Sequence, residues 1–229
     1  MSVMTSPTLR QAKSLWSYNP IPNGCVLYLP LWSLGLNGVN FISPDPYRNA
    51  CVVTGAVQNA DGRLFDGSDD HIKCGTKANL AITTGDFSMV ILARLNTTGS
   101  HVVCFGGSSL DAPAFYSRNN ELCLLSKPST ANAPQATTAW TQDLWMMRGV
   151  TFDNSEATNN LIYYLNGAAE NTVSFDQDFA DYTNCIGATN NGATGKWLGD
   201  VKEAWLYDRI LSAEEMAYIY RNSYGRLTL

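Results

Sequence analysis

The run Phe87-Ser88-Met89-Val90-Ile91-Leu92-Ala93-Arg94-Leu95 restricts the fold of this chain more than any other segment. Side chains alternate across a strand, so Phe87, Met89, Ile91, Ala93 and Leu95 share one face, and that face is expected to enter a core. Short apolar or alternating runs of the same kind recur between turn residues from Cys25 onward, which is the pattern of an antiparallel sandwich. The remaining candidate strands are Cys25 to Trp32, Leu64 to Phe65, His71 to Cys74, His101 to Phe105, Ala114 to Ser117, Glu121 to Leu125, Trp145 to Phe152, Leu161 to Leu165, Asn184 to Ile186 and Trp197 to Tyr207. Helical periodicity is nearly absent.

Two local signals are sharper. Leu161 to Leu165 runs into Asn166-Gly167, a pair that tolerates positive φ and suits a tight hairpin, with the returning strand expected near Thr172 to Phe175. Leu211-Ser212-Ala213-Glu214-Glu215-Met216 carries a capping box: Ser212 is the N-cap and Glu215, three residues on, can bond back to its amide. Leu211 and Met216 would form the hydrophobic staple, and Met216, Ile219 and Tyr220 would dock the helix on the sandwich. The expected architecture is therefore all-β, an antiparallel two-sheet β-sandwich with one short C-terminal helix. Residues 24–221 form the domain, 1–23 an arm or linker, and 222–229 a tail.

The chain of 229 residues is 45% hydrophobic and 15% charged, enough for one large core. Its formal charge of −5 offers no field to attract a phosphate backbone or an anionic membrane, so nucleic acid is not an expected partner. No stretch approaches the roughly 20 apolar residues that cross a bilayer. Met1 to Asn23 lacks a basic cluster followed by an apolar run and a cleavage site, so Sec-type export is not expected. Cys25, Cys51, Cys74, Cys104, Cys123 and Cys185 are widely spaced without a C-x-x-C pair, which argues against zinc or redox motifs. Several sit in apolar runs and read as buried free thiols, while their even number leaves disulfides open.

Five ordered segments resemble the laminin-G-like domains of the concanavalin A-like lectin/glucanase superfamily, found in phage and bacterial surface proteins. Gly62 to Ile72, containing Phe65-Asp66-Gly67-Ser68-Asp69-Asp70, is similar to the family's F-D-G-x-D-D-x-I turn, and Gly85 to Met89 to its D-F-T strand. Trp145 to Asp153 resembles the W-x-x-x-x-x-T-x-D strand, Leu161 to Gly167 the Y-x-N-G hairpin, and Leu198 to Ser212 the closing strand. The resemblance implies a jelly-roll sandwich over about Gly24 to Tyr220. Lys202 stands where the family commonly has Asp, which weighs against calcium if that Asp holds the ion in relatives.

Asp66, Asp69 and Asp70 are the best cluster of hard oxygen ligands and the candidate calcium site, with Asp153 and Asn154 a second pair. The same Asp-rich stretch also reads as a turn whose side chains bond local amides. For sugars, the loops Gly106 to Pro113, Lys127 to Ala139 and Gly187 to Lys196 are long and polar. Asn190, Asn191 and Lys196 could bond hydroxyls, and Trp197, with Trp140, Trp205 and Tyr207, could stack on a ring, although a Trp within a strand usually packs a core.

Catalysis is not expected. The E-x-D-x-x-E pattern of related hydrolases is missing, Glu214 and Glu215 belong to a helix cap, and His71 and His101 accompany no G-x-S-x-G elbow. The first expectation is a non-enzymatic structural or assembly protein at a virion surface, such as a capsid-decorating or tail-associated phage subunit that forms homo-oligomers with its neighbours. A carbohydrate-binding module using calcium, extracellular or at a cell surface, is the second. A glycoside hydrolase is the third.

Overall fold

A computed structural model describes residues 13–75, 78–82, 85–96, 102–107, 114–118, 122–126, 134–175, 183–189 and 192–224. The strands form two antiparallel sheets. The first runs β14 (Ala168–Val173), β13 (Leu161–Leu165), β12 (Trp145–Phe152), β7 (Phe87–Leu95), β16 (Leu198–Tyr207), β5 (Arg63–Asp66), β4 (Val57–Gln58), with β1 (Cys25–Pro30) also paired to β16. The second runs β11 (Gln135–Ala139), β10 (Leu122–Ser126), β9 (Ala114–Arg118), β8 (Val102–Gly107), β15 (Thr183–Ile186), β6 (His71–Lys73), β3 (Ala50–Thr54), β2 (Asn40–Ile42). Among the described residues one α-helix, α1 (Ala213–Tyr224), follows β16 and buries Met216 and Ile219.

The alternation in β7 is realised residue by residue. Phe87, Met89, Ile91, Ala93 and Leu95 join the core between the sheets. The opposite face is buried too: Val90 and Leu92 join Tyr28, Met147, Trp205 and Tyr207 in a second cluster that α1 covers with Met216 and Ile219. Leu211 belongs to that cluster beside Met216, as a staple requires. The capping box is closed: the Glu215 amide donates to Ser212 Oγ at 3.2 Å and the Ser212 amide to Glu215 Oε2 at 2.9 Å. Ser88, polar within an apolar strand, anchors the entry to the helix by donating to the Arg209 carbonyl (2.8 Å) and accepting from the Leu211 amide (2.9 Å).

The latter part of the segment read as an arm also packs on this outer face. A short 3₁₀ turn, Leu15–Tyr18, sets Leu15 against the main core and Trp16 against the second cluster, where Trp16 meets the Tyr28 ring edge-on at 6.2 Å. Cys25, Cys51, Cys74 and Cys185 are buried free thiols.

The Asn166-Gly167 turn has φ of +50° and +82° and pairs Leu165 directly with Ala168. The return strand therefore begins at Ala168, not near Thr172: the two-residue turn sets the register, and a bulge between Tyr163 and Tyr164 leaves Glu170 as the extra residue of β14. β2, β3, β4 and β11 were not expected from the sequence. β2 and β4 are three and two residues long, too short to show alternation, and β11 turns only Ala136 fully inward. Part of the expected Lys127 to Ala139 loop is thus an edge strand.

Candidate functional site

The acidic turn joins β5 to β6. Gly67, at φ +78°, lets the chain reverse, and two carboxylates stabilise the reversal from within: Asp66 Oδ1 accepts from the Ser68 amide and Asp70 Oδ2 from the Asp66 amide, both at 2.8 Å. Asp70 is buried against Gly55, whose φ of +70° and missing side chain make the space: a Cβ there would lie 1.6 Å from Asp70 Oδ1. Burial pushes the Asp70 carboxyl up from its ordinary range; the charges of Asp66 and Asp69 add to this, and the Asp66 amide and Lys196 oppose it. Carboxylate oxygens of Asp66, Asp69 and Asp70 lie within 4.8 Å of one another.

The connection from β15 to β16 closes over this turn. A bridge between Thr189 and Thr194 makes it a tight loop, with the Thr189 amide donating to Thr194 O at 2.9 Å. Its flank is tied to the acidic turn by Lys196, whose ammonium donates to the Asp69 carbonyl at 3.2 Å and to the Gly192 carbonyl. His71 completes the junction: its Nδ1 lies 2.8 Å from the Asp69 carbonyl oxygen, and its ring packs so closely on Gly192 that a Cβ there would come within 2.4 Å of Nε2. Beneath the loop, Cys185 faces the amides of Ala188 and Gly192, and burial pushes its thiol up to about 12.

Candidates separated by more than a hundred residues therefore meet at one rim: Asp66, Asp69, Asp70 and Lys196, joined by His71, which the sequence singled out only as one of two histidines. The clue to His71 is its place directly after Asp69-Asp70. Asn190 and Asn191 belong to the same connection but lie outside the described residues, as does His101. Trp197 does not face the rim. It is fully buried, edge-on to Trp140 at 5.3 Å, because its amide bonds back to the Gly187 carbonyl (2.8 Å) and turns the ring into the core. Trp140, Trp205 and Tyr207 are buried as well, so these aromatics supply core area and offer no face to a sugar.

The three carboxylates suit a hard divalent cation in charge and spacing, but two of their oxygens are committed to turn amides and the Asp69 carbonyl to Lys196 and His71. A calcium ion here would rely on the free carboxylate oxygens and water for its six to eight ligands. Lys202, which replaces a family Asp, sits in a bulge of β16 with its ammonium 6.0 Å from the Trp145 ring centre. The neighbouring acid Asp200 is taken up by Arg94 (2.8 and 3.1 Å) and Asn59 (2.6 Å). Asp153 accepts from the Ser155 amide (2.9 Å) and hydroxyl (2.6 Å), and Asn154 is bonded through its amide to Asp86. That second pair therefore closes a local turn.

Residues 66–217 match the family model described as the concanavalin A-like lectin/glucanases superfamily. The chain belongs to this superfamily. Among solved structures, domain 4 of AbnA, a GH43 extracellular arabinanase from Geobacillus stearothermophilus in complex with arabinotriose, aligns with TM-score 0.64 at 12% identity, over 86% of this chain and 98% of that one. Trypanosoma rangeli sialidase in complex with sialic acid aligns with TM-score 0.62 at 17% identity, over 86% of this chain. The chain spans 32% of the sialidase's length. The receptor-binding domain of botulinum neurotoxin type G aligns with TM-score 0.60 at 13% identity, over 86% of this chain and 51% of that one. At these identities the likeness is one of fold. A search of curated protein sequences finds no match.

Proposed function

We propose that this laminin-G-like domain recognises an oligosaccharide, without cleaving it, at the rim where the Asp66–Asp70 turn meets the 187–196 connection. The observation that carries the reading is the Lys196 tie: one ammonium locks two remote loops into a half-exposed cluster of carboxylates, carbonyls, an imidazole and a cation. Sugar hydroxyls are donors and acceptors at once and need such a mixed, fixed array. The alignment with an arabinotriose-bound domain over 98% of that domain's length supports the substrate class. Calcium, in this reading, neutralises the three Asp side chains and adds ligand positions for the glycan.

A glycan array that includes arabino-oligosaccharides and sialosides, probed with and without calcium, tests it. Binding is expected, with Lys196→Ala weakening it about tenfold or more, the equivalent of one charge-assisted hydrogen bond, at unchanged far-UV circular dichroism. Silence in both conditions, or release of cleaved sugar, counts against the proposal.

A second reading, an assembly subunit at a virion surface, is favoured by the edge where both sheets end at β2 and β4. Leu34, Val39, Ile42, Val52, Val57 and Leu64 are all exposed large apolar side chains on that side, and unpaired edges flanked by apolar surface are sites of self-association. Under this reading the domain sediments as a homo-oligomer and Val39→Asp with Val57→Asp yields monomers. A wild-type monomer at high micromolar concentration removes the support.

A further inference from the structure

We infer that Cys51 and Cys74 form a cross-strand disulfide when the chain folds in the presence of a disulfide oxidant. The inference rests on register. β3 and β6 pair Val52 with Lys73, Val53 with Ile72 and Thr54 with His71, so the next rung places Cys51 opposite Cys74. The rung after that is seen independently at Gly75, where a Cβ would touch the backbone of Ala50 at 3.4 Å. The Cys74 amide donates to the Asn184 carbonyl of β15, on its other flank, at 2.7 Å. Cys51/Cys74 is therefore a non-hydrogen-bonded pair, the kind whose Cα atoms approach to about 4.5 Å with side chains close together. That lies inside the roughly 4.4–6.8 Å span of disulfides.

The side chains agree with the backbone. Both join the core between the sheets, Cys51 1% and Cys74 0% exposed. The Cys51 Sγ donates to the Asn49 carbonyl at 3.6 Å, and the Cys51 thiol is among the neighbours that raise the Cys74 thiol. The other two buried cysteines are placed differently: Cys185 pairs with Lys73 and so lies on the opposite face of its sheet, and Cys25 belongs to the cluster under α1.

The chemistry is thiol–disulfide exchange. One thiolate attacks a small-molecule disulfide such as oxidised glutathione, and the other displaces the bound half. The S–S bond forms, the oxidant's S–S bond breaks, and the two electrons and two protons leave on two glutathione thiols. Burial raises the Cys74 thiol well above its ordinary value, which suppresses the thiolate in the native state. The bond is therefore made as the sheet assembles and then enclosed. The loop it closes holds β4, β5 and the whole Asp66–Asp70 turn, so the linked form fixes the acidic side of the rim at both ends.

The full chain, refolded with oxidised glutathione or with dithiothreitol, provides the test. Non-reducing peptide mapping should find the Cys51 and Cys74 peptides joined and about 2 Da lighter only in the first sample. The linked form should melt about 5–10 °C higher, as expected for a closed loop of this length in a domain of this size. Cys51→Ala and Cys74→Ala, each compared with itself under both conditions, should lose that difference. Native-like protein with both thiols alkylatable after oxidative refolding, linkage of either to another cysteine, or a linked form melting no higher would overturn the inference.

Discussion

Replacing Arg148 by leucine is expected to lower the stability of the domain by about 3–5 kcal/mol, the usual cost of breaking a buried ion pair from one side. Arg148 lies in the middle of β12 and is fully buried. Its Nη1 donates to Glu170 Oε2 of β14 at 2.9 Å, and its Nη2 to the carbonyls of Thr138 (2.5 Å) and Ala139 (3.0 Å) in β11. The guanidinium also lies 5.5 Å from the Trp140 ring centre. Glu170 in turn accepts from the Thr137 hydroxyl at 2.8 Å and from the Thr138 amide. One side chain thus joins the edge of the first sheet to the edge of the second, a task beyond the short apolar contacts of β11.

Leucine would leave a 7%-exposed carboxylate and two carbonyls without their cation. Lysine should rescue little, since a single ammonium cannot reproduce the planar fork. Adding Glu170→Met to Arg148→Leu should recover a large part of the loss, because most of the cost is the stranded charge and not the missing attraction. Urea unfolding of the four proteins in that cycle measures it. A single-variant loss below about 1 kcal/mol would mean that the pair is not needed to hold the edges.

The same residue shows where sequence reading stops. The core face of β7, the Asn166-Gly167 turn and the capping box could be read because each is set by residues a few positions apart: alternation, positive φ, and an N-cap three residues from its partner. Arg148 gives no such signal; a charged residue among apolar ones looks like a surface position until β11 and β14 are brought to it. The strands near Asn40 and Val57 are equally silent, since their pairing is decided by β3 and β5. At the rim the residue types were legible as Asp66, Asp69, Asp70 and Lys196, but their meeting depends on two loops from different parts of the chain. Trp197 allowed two readings, a ring for stacking or core area at the start of a strand, and the Gly187–Trp197 backbone bond that turns it inward decides for the core.

Gly187→Ala should cost about 2–4 kcal/mol and, in the fraction that folds, weaken any ligand held at the rim. Gly187 has φ of +81°, a conformation that strains any residue with a Cβ. The added methyl would also lie 2.4 Å from Phe65 Cδ1 and 2.5 Å from Cε1. Phe65 is fully buried between the sheets and has no free direction to swing. Relief must come from the backbone, and the Gly187 carbonyl is the group that receives the Trp197 amide. Moving it opens the base of the 187–197 connection, draws Lys196 off Asp69 and separates the two halves of the rim. Gly85→Ala is the control, since nothing lies within 4 Å of a Cβ there, and its effect should stay within about 0.5 kcal/mol. Thermal unfolding of both variants, followed by glycan titration at a temperature where each is folded, separates the two effects. If Gly187→Ala melts with the wild type, Phe65 yields more easily than its burial implies; if it melts lower but binds equally, the base of the connection does not position Lys196.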